Sequence, residues 1–269
     1  MSGVAITIVG VVISVFLIIA EVTNIVTFQH FKWRIAGRAK LTVARKSQKM
    51  MNYFIPDVMQ RTKPAFDFVG FSELEGGITF VDYLNFGFNP RNIARQIKED
   101  ILANNYNARI FTIGIGDQVA RHIDGTFNDR VVNIISINPS IGMKSLQQNV
   151  RFAYVALLPM AQLVALLAGW LACFPIITAS IGEKKVSMSL LTDQVRFMLY
   201  NEEQTVSQDT EGLLLSKSDE VLDNEWLYEK YKKPVRTNYA IVPTRHAEVE
   251  EKPYRIFYRD AVNELLSAL

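Results

Sequence analysis

Few side chains in this sequence can do organised acid–base, nucleophilic or metal chemistry. There are three histidines and one cysteine, Cys173. A lone cysteine forms no internal bridge, and this set does not supply a zinc site built on sulfur ligands. His122, in QVARHI, reads as a surface residue of a short helix. His246 is followed by Glu248, Glu250 and Glu251, acids that can raise an imidazole pKa or pair with Arg245. The acidic run Asp219, Glu220, Asp223 and Glu225 suits a turn cap followed by a solvated face. Gly114-Ile115-Gly116-Asp117 is too short for a dinucleotide fingerprint, because the third glycine and the acid ending a following strand are both missing. No group has metal-ligand spacing, and no cofactor is expected. What remains is chemistry by carboxylates and an imidazole, which depends on the elements that bring them together.

Those elements come from a chain of 269 residues, enough for one domain with additions or two small ones at about 150 residues per domain. Apolar residues make up 49% and charged residues 21%, which excludes a disordered chain, a collagen-like repeat and a disulfide scaffold. A formal charge of +2 gives no reason to expect a nucleic-acid partner.

Two apolar stretches stand out from this average. Gly3 to Ala20 is 18 residues without a charge. As a helix it reaches roughly 27 Å, close to the thickness of a bilayer core. Only Met-Ser precedes it and no A-x-A site follows, so it reads as a retained anchor rather than a cleaved signal. Lys32, Arg34, Arg38, Lys40, Arg45, Lys46 and Lys49 crowd the next segment, and the positive-inside bias puts everything after the helix in the cytoplasm. The second stretch, Phe152 to Ile181, has 30 uncharged residues interrupted by Pro159 and Pro175.

Between the two, short apolar runs alternate with amphipathic ones. Phe66 to Val69 and Ile78 to Val81 read as strands separated by Gly76 and Gly77. Asn89-Pro90 opens a helix with Ile93, Ala94, Ile97, Ile101 and Leu102 on one face. Ala108 to Ile115 reads as a strand ending in glycines, Asp117 to Ile123 as a short helix, and Val131 to Ile137 as a β-branched strand buried on both faces. After the insert, Gly212 to Ser216 and Tyr239 to Pro243 are again strand-like, and Tyr254 to Leu269 carries a helical apolar face. The alternation predicts an α/β fold, a mostly parallel sheet covered by helices on both faces.

Four local patterns in order resemble the α/β-hydrolase family. ARIFTIGIGDQVARHI (108 to 123) is similar to its strand, sharp turn and helix around the nucleophile. VVNIISINPSIG (131 to 142) is similar to the strand ending in Asn-Pro before its lid insertion. EGLLLSKSDEV (211 to 221) is similar to its late strand and acid turn, and TRHAEVEEKPYRIFYRDAVNELL (244 to 266) to its histidine loop and closing helix. The resemblance covers about residues 65 to 269 apart from the insert, and together with the hydropathy and charge pattern it gives five parts: an anchor over 3–28, a basic juxtamembrane linker over 29–64, a first part of the hydrolase-like domain over 65–147, a hydrophobic insert or lid over 148–210, and a last part over 211–269.

The resemblance also implies roles. Asp219 falls on the acid and His246 on the histidine of a catalytic triad. The nucleophile of G-x-S-x-G falls on Gly114 if the turn is read from Thr112, or on Gly116 if it is read from Gly114. Either way the tip is a glycine and has no attacking group. Asp117, adjoining the second reading, is the alternative nucleophile; otherwise it caps the helix that follows. Val69-Gly70-Phe71 resembles the oxyanion loop, so the backbone N–H groups of Phe71 and Ile115 are the oxyanion candidates.

A single membrane crossing by residues 152 to 181 would separate strands 212–216 and 239–243 from the rest of the sheet. That stretch is therefore expected to be a lid, a helical hairpin broken near Pro159 or between Gly169 and Pro175. The expected protein is held at the membrane by one N-terminal anchor, with its soluble domain on the cytoplasmic side. It uses the hydrolase fold as a binding or interaction module, with membrane lipid and an acyl ligand or ester as partners. An active ester or lipid hydrolase with an aspartate nucleophile, and a two-span membrane protein with a small α/β domain, are the alternatives.

Overall fold

Mostly apolar runs can be buried on both faces of a sheet, and the centre of this molecule is built from them, with a few buried polar residues such as Asn52, Thr112 and Ser136 among them. The computed structural model describes residues 10–15, 18, 38–57, 60–84, 88–123, 132–153, 155–156, 178–181, 184–187, 197–198, 210–232, 238–245 and 252–268. Its strands are β1 (Ala39–Arg45), β2 (Met50–Ile55), β3 (Gly77–Tyr83), β4 (Asn107–Ile113), β5 (Val132–Ile137), β6 (Thr178–Ile181), β7 (Lys184–Ser187), β8 (Thr210–Ser216) and β9 (Asn238–Val242). Seven of them form one sheet in the order β1-β3-β2-β4-β5-β8-β9, while β6 and β7 form a separate antiparallel hairpin. Within the large sheet β1 runs antiparallel to β3 and every other pairing is parallel.

Because strand side chains alternate, adjacent residues feed opposite cores. Tyr53, Ile110, Ile134 and Leu213 lie in one apolar cluster with Ile93 and Ile97 of helix α1 (Pro90–Asn104) and Val119 of α2 (Asp117–Ala120). Leu227 and Tyr231 of α3 (Asn224–Lys232) join the same cluster. Phe54, Phe111, Ile135 and Leu214 face the other way, against Tyr258, Val262 and Leu265 of α4 (Arg255–Ser267). Phe54 and Phe111 stack at 4.8 Å between ring centroids, and Phe66 meets Phe54 edge-on at 5.1 Å. Helix α1 begins where Asn89 Oδ1 accepts from the Asn92 N–H at 3.2 Å, with Pro90 in the first turn, and ends at left-handed Asn105. Its buried face is Ile93, Ala94, Ile97 and Ile101, whereas Leu102 is exposed.

Three expectations need correction. The basic segment 29–64 is not simply a linker, since β1 and β2 lie within it and β2 stands near the middle of the sheet between β3 and β4. Phe66–Val69 is no strand: Asp67–Val69 is a 3-10 turn that ends at Gly70 with φ +68°, and its aromatic side chains fill the α4-side core. Thr178–Ile181, the end of the long apolar stretch, is strand β6 rather than helix. Phe152, Ala153, Val155 and Ala156 at its start are helical, and the remainder of the expected hairpin, including Pro159 and Gly169 to Pro175, lies outside the described residues.

The expected continuity across the insert is observed. β5 pairs with β8 in parallel, with Ile137 opposite Leu214, and β8 pairs with β9. Both ends of the insert therefore belong to one sheet. Among the described residues no helix is long and apolar enough to cross a membrane, and most of residues 3–20 lie outside them.

Candidate active site

The carboxyl ends of the central parallel strands meet at the turn after β4, where position 114 decides the chemistry. Gly114 has φ +57°, a left-handed conformation that side chains rarely adopt, whereas Gly116 has φ −56°. The turn tip is therefore Gly114, and the reading that put Gly116 there is corrected. Gly116 serves close packing instead: a Cβ on it would stand 2.5 Å from the carbonyl oxygen of Ile55 and 2.9 Å from that of Pro56. That contact presses the elbow against the end of β2.

The loop leaving β2 fills the space that a nucleophile would use. A Cβ on Gly114 would overlap Oδ2 of Asp57 and stand only 3.1 Å from its carboxyl carbon. The same Oδ2 accepts from the N–H of Ile115 at 3.2 Å. In this architecture the N–H after the nucleophile is an oxyanion donor, and here its partner is a carboxylate of the chain itself. Asp57 is half-buried and its backbone is held closely. Gln60 N–H donates to Asp57 O at 3.0 Å, and Asp57 N–H donates to Gln60 Oε1 at 3.3 Å. Tyr83 Oη donates to Pro56 O at 2.8 Å. Burial raises the Tyr83 phenol well above its usual range, and the nearby charge of Asp57 adds to the shift.

Of the two expected oxyanion donors, the Ile115 N–H lies directly after the turn tip and Phe71 lies away from it. The Phe71 carbonyl accepts from Arg45 at 2.9 Å, and its ring packs edge-on against Phe54 and Phe80. Arg45 ends β1 opposite Ile78, at the start of β3, so Phe71 lies at the far end of the sheet from the elbow. The loop against the elbow is Pro56-Asp57. Sequence reasoning missed it, although the run from Met50 to Ile55, apolar but for Asn52 and followed by Pro-Asp, is a signal for a buried strand and turn.

Asp117 lies beneath the turn and is not presented at its tip. It is 2% exposed. One oxygen accepts from Ser136 Oγ at 2.5 Å and Thr112 Oγ1 at 3.3 Å, and the other from Tyr231 Oη at 2.8 Å. Arg121 Nε stands 3.4 Å from the second oxygen. An attacking carboxylate needs an open face and an approach path, and Asp117 has neither. The helix cap reading fails as well, because no side-chain cap bond is made at the start of α2. Tyr231 is held protonated by burial first and by the Asp117 charge second, against the opposing Arg121 charge.

At the other side of the rim, Asp219 follows β8 as expected for the acid. It is 6% exposed, and its Oδ1 accepts from the N–H groups of Val221 at 2.8 Å and Leu222 at 2.7 Å. Gln147, at the start of the insert, donates to the Asp219 carbonyl at 2.5 Å. Asn138, with φ +44°, clasps Ser216 by two bonds of 2.7 and 2.8 Å. Thr244 Oγ1 meets Tyr258 Oη at 2.7 Å, and Ser218 N–H donates to Thr244 O at 3.0 Å. The strand leading to residue 246 is thereby tied beside Asp219, while His246 itself lies outside the described residues. The insert also returns over the elbow: Ser140 N–H donates to Gly114 O at 2.9 Å, and Ser140 Oγ lies 3.6 Å from the sulfur of buried Met198. Among the described residues no group of His, Cys, Asp and Glu could hold a metal ion.

No protein-family model matches the sequence, and neither does any curated protein. Solved structures do match. A hydrolase from Oleispira antarctica superposes with a TM-score of 0.59 at 12% identity, covering 88% of this chain and 97% of its own. A carboxylesterase of Nitrososphaera gargenis gives 0.56 at 11% identity over 86% and 94% of the two chains, and a monoacylglycerol lipase of Paleococcus ferrophilus gives 0.56 at 11% over 86% and 100%. Parallel strands in this order, a left-handed elbow after β4, an acid turn after β8 and likeness to hydrolases along most of the chain lead to one conclusion: the chain has the α/β-hydrolase fold.

Proposed function

We propose that this protein uses the α/β-hydrolase fold to bind rather than to cleave, as a module held at a membrane. One observation carries the reading: the tip residue is Gly114, and the Asp57 carboxylate stands in its side-chain space on the Ile115 N–H. Ester hydrolysis by an acyl-enzyme route needs a nucleophile there and a vacant donor for the developing oxyanion. Negative charge on the donor opposes a second negative charge beside it. The membrane part rests on the uncharged run 3–20 and the seven cations between Lys32 and Lys49, which favour a cytoplasmic domain. An acyl ligand suits the apolar insert, whose Met198 is buried beside the elbow.

The test is turnover of short acyl p-nitrophenyl esters by detergent-solubilised protein, comparing wild type with His246→Ala. Equal background rates are expected; wild-type turnover that disappears in the variant would overturn the reading. For topology, cysteines placed at Ser187 and Ser267 should label from the same side as one at Lys49. A second reading, a hydrolase with a carboxylate nucleophile, is favoured by the position of Asp57 and not by that of Asp117. Its signature is an ester mapped to Asp57 by peptide mass after incubation with an alkylating epoxide.

A further inference from the structure

Three features set the Asp57 carboxylate apart from an ordinary loop acid. Its oxygen fills space left by a glycine, and any side chain at position 114 would collide with it. It is bound by a backbone N–H from a segment 58 residues away. Its backbone is also delivered by a braced support: the Tyr83 bond to Pro56, the reciprocal Asp57–Gln60 bonds and the contact of Gly116 with the Ile55 and Pro56 carbonyls.

A donor that holds a carboxylate in this way is a carboxylate site. We infer that the elbow is a binding site for small carboxylates that Asp57 fills in cis, as an internal ligand closing it to outside carboxylates and oxyanions. The inference rests on the nonhydrolytic reading of Gly114 and adds the class of ligand. Two effects keep an external ligand out while Asp57 is present. A tethered carboxylate competes at an effective concentration on the order of millimolar or more, and two carboxylates beside one N–H repel each other. Buried Met198 packs against Ser140, whose N–H is bonded to the Gly114 carbonyl, so a carboxylate with a short alkyl tail fits the surroundings better than a bare inorganic anion.

Acetate is the Asp57 side chain detached from its backbone, which makes chemical replacement the test. Thermal melts of the full chain in detergent are run for wild type and Asp57→Gly in acetate and in chloride at matched ionic strength. Asp57→Gly is expected to show a saturable acetate-specific rise of a few degrees, with wild type unchanged. Equal responses in the two proteins, or none in the variant, would overturn the assignment. Should Asp57→Gly fail to fold, Asp57→Asn gives a second measurement: the Ile115 amide proton resonance is expected to move upfield on loss of the charged acceptor and to stay in place in Asp117→Asn. An Ile115 resonance indifferent to residue 57 would sink the inference. Ester turnover by the wild type would defeat the nonhydrolytic reading, whereas a flat acetate response without turnover defeats only the internal ligand.

Discussion

Two aspartates border one turn, and their surroundings are opposite. Asp117 lies beneath the elbow, buried, with both oxygens committed to Ser136, Thr112, Tyr231 and Arg121. Asp57 stands above it, half-buried, reaching from the loop after β2 to the Ile115 N–H. The lower carboxylate knits β4, β5, α2 and α3 together from within the core. The upper one occupies the place where chemistry would happen. The difference teaches that the framework holding an elbow and the group standing at its tip are separable: one carboxylate is built into the first, and the other stands at the second.

The comparison breaks most visibly at the lower carboxylate. Asp117→Ala would leave Arg121 charged in a site where its side chain is 6% exposed. Removing one partner of a buried ion pair costs about 3–5 kcal/mol, so the urea midpoint should fall more than for Asp57→Gly, where loss of the charge-assisted bond to Ile115 costs about 1.5–3 kcal/mol. Equal losses would mean that the two carboxylates are not different in kind.

A smaller effect is expected at alkaline pH. Tyr83 and Tyr231 have phenols raised above the usual 10.0 by burial. The unfolded chain therefore releases these protons first, and it binds fewer of them than the folded chain above that pH. Stability supplied by the neutral phenols is complete below about pH 10 and declines as pH rises past it toward the folded values. Urea unfolding between about pH 9 and pH 11 should show this decline, and Tyr83→Phe should make it shallower. An unchanged slope would place the Tyr83 hydroxyl in contact with water. Least of all should follow from Arg259→Ala, which breaks an exposed 2.5 Å pair with Glu73 and is expected to change stability by less than about 1 kcal/mol.

Much of this arrangement was legible in the sequence, for reasons that also explain what was not. Val132–Ile137 and Leu213–Leu215 could be recognised as central strands because burial on both faces leaves a near-continuous apolar run, broken in the first only by Asn133 and Ser136. The glycine spacing marked the elbow and put a glycine at its tip in either register. β1 and β2 were hidden because a run of cations between residues 32 and 49 is also a topology signal, whereas β1 carries its charges on an edge strand where exposure costs nothing. Phe66 and Phe68 looked β-prone although they serve a short turn, since core filling under α4 outweighs local propensity. Asp57 could not be found from spacing at all. Its partner is 58 residues distant, and only the packing of β2 beside β4 brings them together.

The central claim is that the Asp57 carboxylate occupies the side-chain space of Gly114, and a double-mutant cycle in urea unfolding tests it most directly. Gly114→Ala alone should be strongly destabilising, because the new methyl group meets both a left-handed backbone and the carboxylate. In the Asp57→Gly background only the backbone strain remains, and the loss should shrink by at least about 1 kcal/mol. Strict additivity of the two substitutions would contradict the account.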